Sequence, residues 1–149
     1  MAKEIVREAL FFDLTEEVSG SVSSPRWSDD LTWYGPVGFG LATNKREYED
    51  TFIAAIRAAF SQRELQLDIL TCEGTYCGAH GYLHGINTGD FLGEAASNKP
   101  VRLRFGLHWR VDVALGLIPE GYAIFDLPGL FIQNGVNLYQ RVNDPAYLL

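Results

Sequence analysis

Two side chains in the C-terminal third have the types and spacing for proton transfer. Asp126 lies in Ala123-Ile124-Phe125-Asp126-Leu127-Pro128, where apolar neighbours favour the neutral form of a carboxyl and so suit it to exchange protons near pH 7. His108 stands eighteen positions earlier on an alternating segment, and an imidazole there suits donation of a hydrogen bond to a developing enolate oxygen. Plainer roles compete with these. Asp126 could cap the turn Leu127-Pro128-Gly129-Leu130 or pair with an arginine, and His108 could be an ordinary core histidine.

Other chemistry finds less support. Arg102, Arg104 and Arg110 suggest an anion site, of which Arg110 is the best ligand-binding candidate, yet such arginines also form ion pairs or a subunit interface. His80 and His84 are four apart but lie in a glycine-broken strand pattern rather than on an H-E-x-x-H helix, so no metal is expected. Gly35-Pro36-Val37-Gly38-Phe39-Gly40 lacks the lysine of a P-loop and the spacing of a dinucleotide fingerprint, and no G-x-S-x-G elbow occurs. No cofactor is expected. Cys72 and Cys77 lack the second pair that would complete a zinc site, and they read as two buried thiols in a reducing compartment.

The elements that must hold Asp126 and His108 come from periodicity. From Val101 to Val113, Val101, Leu103, Phe105, Leu107, Trp109, Val111 and Val113 alternate with Arg102, Arg104, Gly106, His108, Arg110 and Asp112, the mark of a strand with one apolar face. A turn at Ala114-Leu115-Gly116 then returns the chain through Leu117 to Asp126. Pairing Arg110 with Tyr122 sets His108 opposite Ile124, with Asp126 its diagonal neighbour roughly 7 Å away. A slip of one residue would part them.

Upstream, Ile5, Val6, Ala9, Leu10, Phe12 and Leu14 suit an amphipathic helix that covers one face of the sheet. Asp30 to Tyr34 reads as a strand closed by Gly35-Pro36. Asn44 with Glu47 has capping-box spacing, and Tyr48, Phe52, Ile56 and Phe60 follow on one helix face that ends near Arg63. Leu67 to Thr71 and Tyr76 to Ile86 read as strands broken at Gly74. Helices followed by an antiparallel meander define an α+β layout.

Composition narrows the partners. The 149 residues suit a single domain over 1–149, and the 47% hydrophobic content can build its core. A net charge of −7 opposes attraction to nucleic acid or anionic lipid. No apolar run is long enough to span a membrane, and the charged start Met1-Ala2-Lys3-Glu4 does not suit a secretory signal, which points to the cytoplasm.

Gly106-Leu107-His108-Trp109-Arg110-Val111, Glu120-Gly121-Tyr122-Ala123-Ile124-Phe125-Asp126, Gly129-Leu130 and Gln133-Asn134-Gly135 together resemble the C-terminal signature of the SnoaL-like polyketide cyclase family, of the nuclear-transport-factor-two-like superfamily. Trp33-Tyr34-Gly35-Pro36-Val37-Gly38-Phe39-Gly40 resembles its W-x-G-P-x-G segment, and Asn87-Thr88-Gly89-Asp90-Phe91-Leu92-Gly93 its H-T-G-E-F-x-G segment. The resemblance implies a strongly curved, mostly antiparallel sheet that forms a cone with its helices around an interior pocket, as a homodimer. It also implies cofactor-independent aldol-type cyclisation or isomerisation of a small hydrophobic carbonyl compound. Asp126 would be the acid/base and His108 its neighbour, with Trp33, Tyr34, Asn87, Arg110 and Tyr122 lining the site.

The chain departs from the pattern at Asn87, where many relatives have His, at Tyr122 for Trp, and at Ser61-Gln62 for Pro-Asp. Asn87 cannot titrate, which gives weight to a non-catalytic binding module of the same fold. A purely oligomeric scaffold is a further reading. So is an epoxide-hydrolase-like arrangement of Asp112, Arg110 and Asp126, provided all three enter the cavity.

Overall fold

A computed structural model describes residues 1–142. The first helix, α1 (Ala2–Thr15), buries the stripe Ile5, Val6, Ala9, Leu10, Asp13 and Leu14 against the sheet. A loop leads to β1 (Trp27–Tyr34) and the short β2 (Leu41–Ala42). Asn44 caps α2 (Lys45–Tyr48) by accepting from the Glu47 amide, as the capping-box spacing predicts.

Beyond α2 the helix widens into a π-turn (Glu49–Ile53) before resuming as α3 (Ala54–Ala59). That wider turn fits an apolar repeat of four rather than 3.6, and Tyr48 and Phe52 stack with centroids 5.6 Å apart. The helix ends at Ala59, not near Arg63 as its apolar spacing suggests. Phe60 is already extended and pairs with Asn87, so cross-strand pairing overrides the helical period from that residue on.

The meander follows in β3 (Phe60–Glu73), β4 (Tyr76–Asn87), β5 (Pro100–Asp112) and β6 (Leu117–Phe125). Two short helices, α4 (Leu127–Gln133) and α5 (Leu138–Val142), come after them. The sheet order is β2-β1-β6-β5-β4-β3, antiparallel throughout except that β1 runs parallel to β6. Register breaks in β3 at Ser61/Glu64 and Leu67/Ile69 bend the sheet into a curve. The α+β architecture is thus the expected one.

Alternation on β5 divides the sheet cleanly. Leu103, Phe105, Leu107, Trp109 and Val111 face inward onto α1 and the α2–α3 helix, where Trp27, Trp33, Tyr48, Phe52 and Phe125 complete the core. The opposite, outer face carries Arg102, Arg104, His108, Tyr122 and Ile124. Cys72 and Cys77 oppose each other across the β3–β4 hairpin and form a disulfide, which replaces the expected free thiols. The bond also removes one ground for reading the chain as resident in a reducing compartment. Among the described residues, no helix is long and apolar enough to cross a membrane.

Candidate functional site

The turn Val113–Gly116 closes tightly, with the Gly116 amide donating to Val113 and Gly116 at a φ of 67°. Asp112 therefore sits opposite Leu117, and a bulge beside it sets Arg110 against Glu120 and His108 against Tyr122. This register is displaced by two residues from the pairing of Arg110 with Tyr122. A shift of two preserves the face, so His108, Arg110, Tyr122 and Ile124 do share one side, but that side is the outer one.

Asp126 and His108 do not meet in an enclosed hollow. His108 is exposed, its ring lying over Gly78, where an added Cβ would stand 3.0 Å from Cδ2. Asp126 is exposed too: its Oδ1 accepts the Gly129 amide at 3.0 Å to cap α4, and its own amide donates to Arg104. Arg104 and His108 are four residues apart on one strand, about 13 Å. The expected apolar seat around Asp126 is missing because Ile124 points outward to solvent while Phe125 and Leu127 turn inward.

The other candidates separate in the same way. Trp33 and Tyr34 are neighbours on a strand and so face opposite sides. Trp33 is buried inside, whereas Tyr34 stacks on Tyr122 outside at 4.6 Å and 7°. Arg110 donates to Glu120 at 3.1 Å, and the Tyr122 hydroxyl donates to the same carboxylate. Those two donors hold the Glu120 carboxyl below its usual range, and the hydrogen bond to Glu120 pushes Tyr122 up to about 12. Asp112 accepts the Leu115 amide within the hairpin turn, so Asp112, Arg110 and Asp126 do not gather in a cavity.

Asn87 is a structural tie rather than a pocket residue. Its Nδ2 donates to the Ala59 and Gly89 carbonyls, and its Oδ1 accepts from the Ser97 amide and Asn134 Nδ2. One amide thereby holds the end of α3, the β4–β5 loop and the end of α4, which needs a donor and an acceptor on one side chain.

The interior holds a different acid. Asp13 is 2% exposed and lies in an aromatic hollow lined by Trp27, Trp33, Tyr48, Phe52 and Trp109. Its Oδ1 accepts the Ser24 amide at 2.7 Å, while Oδ2 accepts Trp27 Nε1–H at 2.7 Å and the Tyr48 hydroxyl at 2.8 Å. Burial raises its pKa to about 6; the three donors and the Arg57 charge pull the other way but do not offset the loss of water. The Tyr48 phenol is pushed well up, by burial first and then by the adjacent Asp13 charge. Helical spacing alone could have found this residue, since Ile5, Ala9 and Asp13 are successive i+4 positions on the buried stripe of α1.

The hollow is small in this state, about 20 Å³, which is room for roughly one water. The loop Gly35–Gly40 carries Phe39 against its wall, 6.5 Å from Trp33 and 5.5 Å from Phe52 between ring centres. A second, more open recess of about 730 Å³ lies outside, where Tyr34, Tyr76, His108, Tyr122 and Ile124 converge. Among the described residues, no group of three or more His, Cys, Asp or Glu side chains could hold a metal ion.

No protein-family model matches the sequence, and no curated protein is similar to it by sequence. Solved structures are similar to it in shape. A protein from Jannaschia sp. CCS1 assigned as a SnoaL-like polyketide cyclase superposes with a TM-score of 0.68 at 18% identity, over 91% of this chain and 93% of that one. An NTF2-like protein from Burkholderia thailandensis gives 0.67 at 18%, over 91% and 97%. AclR of Streptomyces galilaeus, assigned as a hydroxylase, gives 0.73 at 16%, over 90% and 80%. The chain has the fold of SnoaL-like and NTF2-like proteins.

Proposed function

We propose that this protein performs cofactor-independent proton transfer on a small hydrophobic carbonyl compound inside the cone, an isomerisation or aldol-type ring closure, with Asp13 as the proton carrier. The observation that carries this reading is a carboxyl with a pKa of about 6, buried among aromatic rings. A carboxyl with that pKa is mostly ionised at pH 7 and still a far stronger base than an ordinary aspartate, which suits it to act as a general base there.

The step balances without any other reagent. Asp13 Oδ1, which among the described residues accepts only the Ser24 amide and so keeps a lone pair free, takes the proton from the carbon beside the carbonyl, and the C–H electron pair becomes the enolate. Once the carboxyl is neutral, Oδ2 is a weaker acceptor and the Tyr48 hydroxyl is free to turn from it to the enolate oxygen. Asp13 then returns the proton, to a second carbon in an isomerisation or to the new alkoxide after ring closure. The aromatic walls strengthen both interactions by excluding water. A ring compound is larger than the hollow, so its entry requires the aromatic walls to part, among them Trp33 and Phe52, on which Phe39 packs.

The test is conversion of a β,γ-unsaturated cyclic ketone to its conjugated isomer, followed by absorbance. The wild type accelerates it, with a rate that rises with pH through about 6 as Asp13 ionises. Asp13→Asn lowers the rate about 100-fold, while Asp126→Asn and His108→Gln leave it unchanged. Loss on Asp126→Asn with Asp13→Asn fully active would contradict the assignment.

A second reading, a non-catalytic ligand carrier that uses the same hollow, is favoured by the full complement of donors on Asp13. It predicts ligand binding by a wild type that does not turn over the ketone.

The outer face supports a homodimer as the working assembly. Ile124 is 70% exposed there among Tyr34, Tyr76, Tyr122 and Ile69, an apolar patch of the kind that marks an interface. The same face bears Glu64 and Glu73 on β3 and Arg102 and Arg104 on β5, opposite charges that a two-fold axis can set against each other.

A further inference from the structure

Away from the hollow, Arg57 on α3 and Arg63 at the start of β3 line an open recess of about 530 Å³ together with Glu17, Gly20 and Ser21. Arg63 is only 8% exposed, and its guanidinium donates to the carbonyls of Leu14, Phe60 and Glu16. Arg57 Nη1 donates to the Gly20 and Val22 carbonyls. Every one of these acceptors is a neutral backbone oxygen. Among the described residues, neither arginine has a carboxylate within 4.0 Å, and Arg57 Nε and Nη2 are buried with no acceptor at all.

Two guanidinium groups shielded from water beside each other repel, and although the Arg57 charge is felt at Asp13, no carboxylate of a described residue lies close enough to pair with either arginine, which makes their burial costly. Burial lowers the Arg63 pKa and the Arg57 charge lowers it further, opposed by Glu17. Buried polar groups are nearly always satisfied, so the open Nε–Nη2 edge of Arg57 calls for an acceptor that none of the described residues supplies. That planar edge matches two oxygens of an oxyanion.

We propose that this recess is a binding site for a small oxyanion, a phosphate or carboxylate group, held by the Nε–Nη2 edge of Arg57 in the field of Arg63. The edge is shielded from solvent, so binding requires the 20–22 segment, which Nη1 holds, to shift. Gly20 and Ser21 of that segment already line the recess beside Arg57. Glu17 lies on the rim as the competing negative charge and keeps the affinity low.

The experiment is thermal unfolding and calorimetric titration of the full chain with inorganic phosphate, then acetate, at constant ionic strength set with chloride. The melting temperature rises and saturates with phosphate, as a ligand of the folded state requires. Arg57→Gln weakens phosphate binding about tenfold or more, and Arg57→Lys, which keeps the charge and a donor for the loop, also loses most of the response. Glu17→Gln tightens binding, a readout that survives if an Arg57 variant fails to fold. A melting temperature that climbs without saturating and equally in all variants would be a general salt effect and would overturn the proposal. So would a wild type in which phosphate does no more than chloride.

Discussion

Asp13 shows how a residue's position decides its chemistry. Its folded pKa of about 6 lies above the ordinary aspartate value of about 3.9, so the native state binds the proton more tightly than the unfolded chain does. The sign follows: below pH 4 the group costs nothing, and as pH rises through 4 to 6 it destabilises the fold, by on the order of 3 kcal/mol in full. Asp13→Asn is therefore expected to flatten the pH dependence of stability between pH 4 and 7, measured by urea unfolding at each pH. A wild type that gains stability across that window from this group would run against the burial argument. Asp126 carries the opposite lesson. Its Phe125 and Leu127 neighbours are apolar, as the composition around it suggests, but both turn inward and leave the carboxylate in solvent as a helix cap. Apolar neighbours along the chain do not bury a strand residue, because alternation sends it the other way.

At the scale of elements, most of the fold was legible. Unbroken alternation over Val101 to Val113 located β5, Gly74 located the β3–β4 turn, and Asn44 with Glu47 located a helix start. Two things were not legible. The bulge beside Asp112 moved the hairpin register by two, and long-range pairing with Asn87 ended α3 before its apolar period did, neither of which leaves a local mark. The same local blindness hid the disulfide, since only the β3–β4 register brings Cys72 opposite Cys77. That cross-link closes a short loop, so Cys72→Ser with Cys77→Ser is expected to lower stability by about 2 kcal/mol. Denaturant unfolding measures this, and the unreduced wild type should yield no thiol to alkylation. The hairpin offers a second check in Gly81, where a Cβ would stand 2.0 Å from the Gln66 carbonyl oxygen. Gly81→Ala forces the two strands apart and should cost about 2 kcal/mol or more.

For the whole molecule, a sheet bent around an aromatic interior leaves two faces with different tasks. The outer face is apolar and charged in patches, and for the homodimer proposed there Ile124→Lys is expected to give a monomer in light scattering where the wild type gives a dimer, while its circular dichroism stays unchanged. The inner face buries one carboxyl, Asp13, deeply enough that loss of water raises its pKa despite three hydrogen-bond donors. Fold and site thus differ in how they are encoded: the fold persists in solved structures at 16–18% identity, because apolar patterning suffices to build it, whereas the proposed proton carrier rests on one position of α1. The central claim is that burial outweighs three hydrogen bonds at Asp13. Its most direct test is a carbon-detected NMR titration of the Asp13 carboxyl in the folded protein, with Asp13→Asn to assign the signal. An inflection near pH 6 is the predicted result; a carboxyl that stays ionised down to pH 4 or below would contradict it.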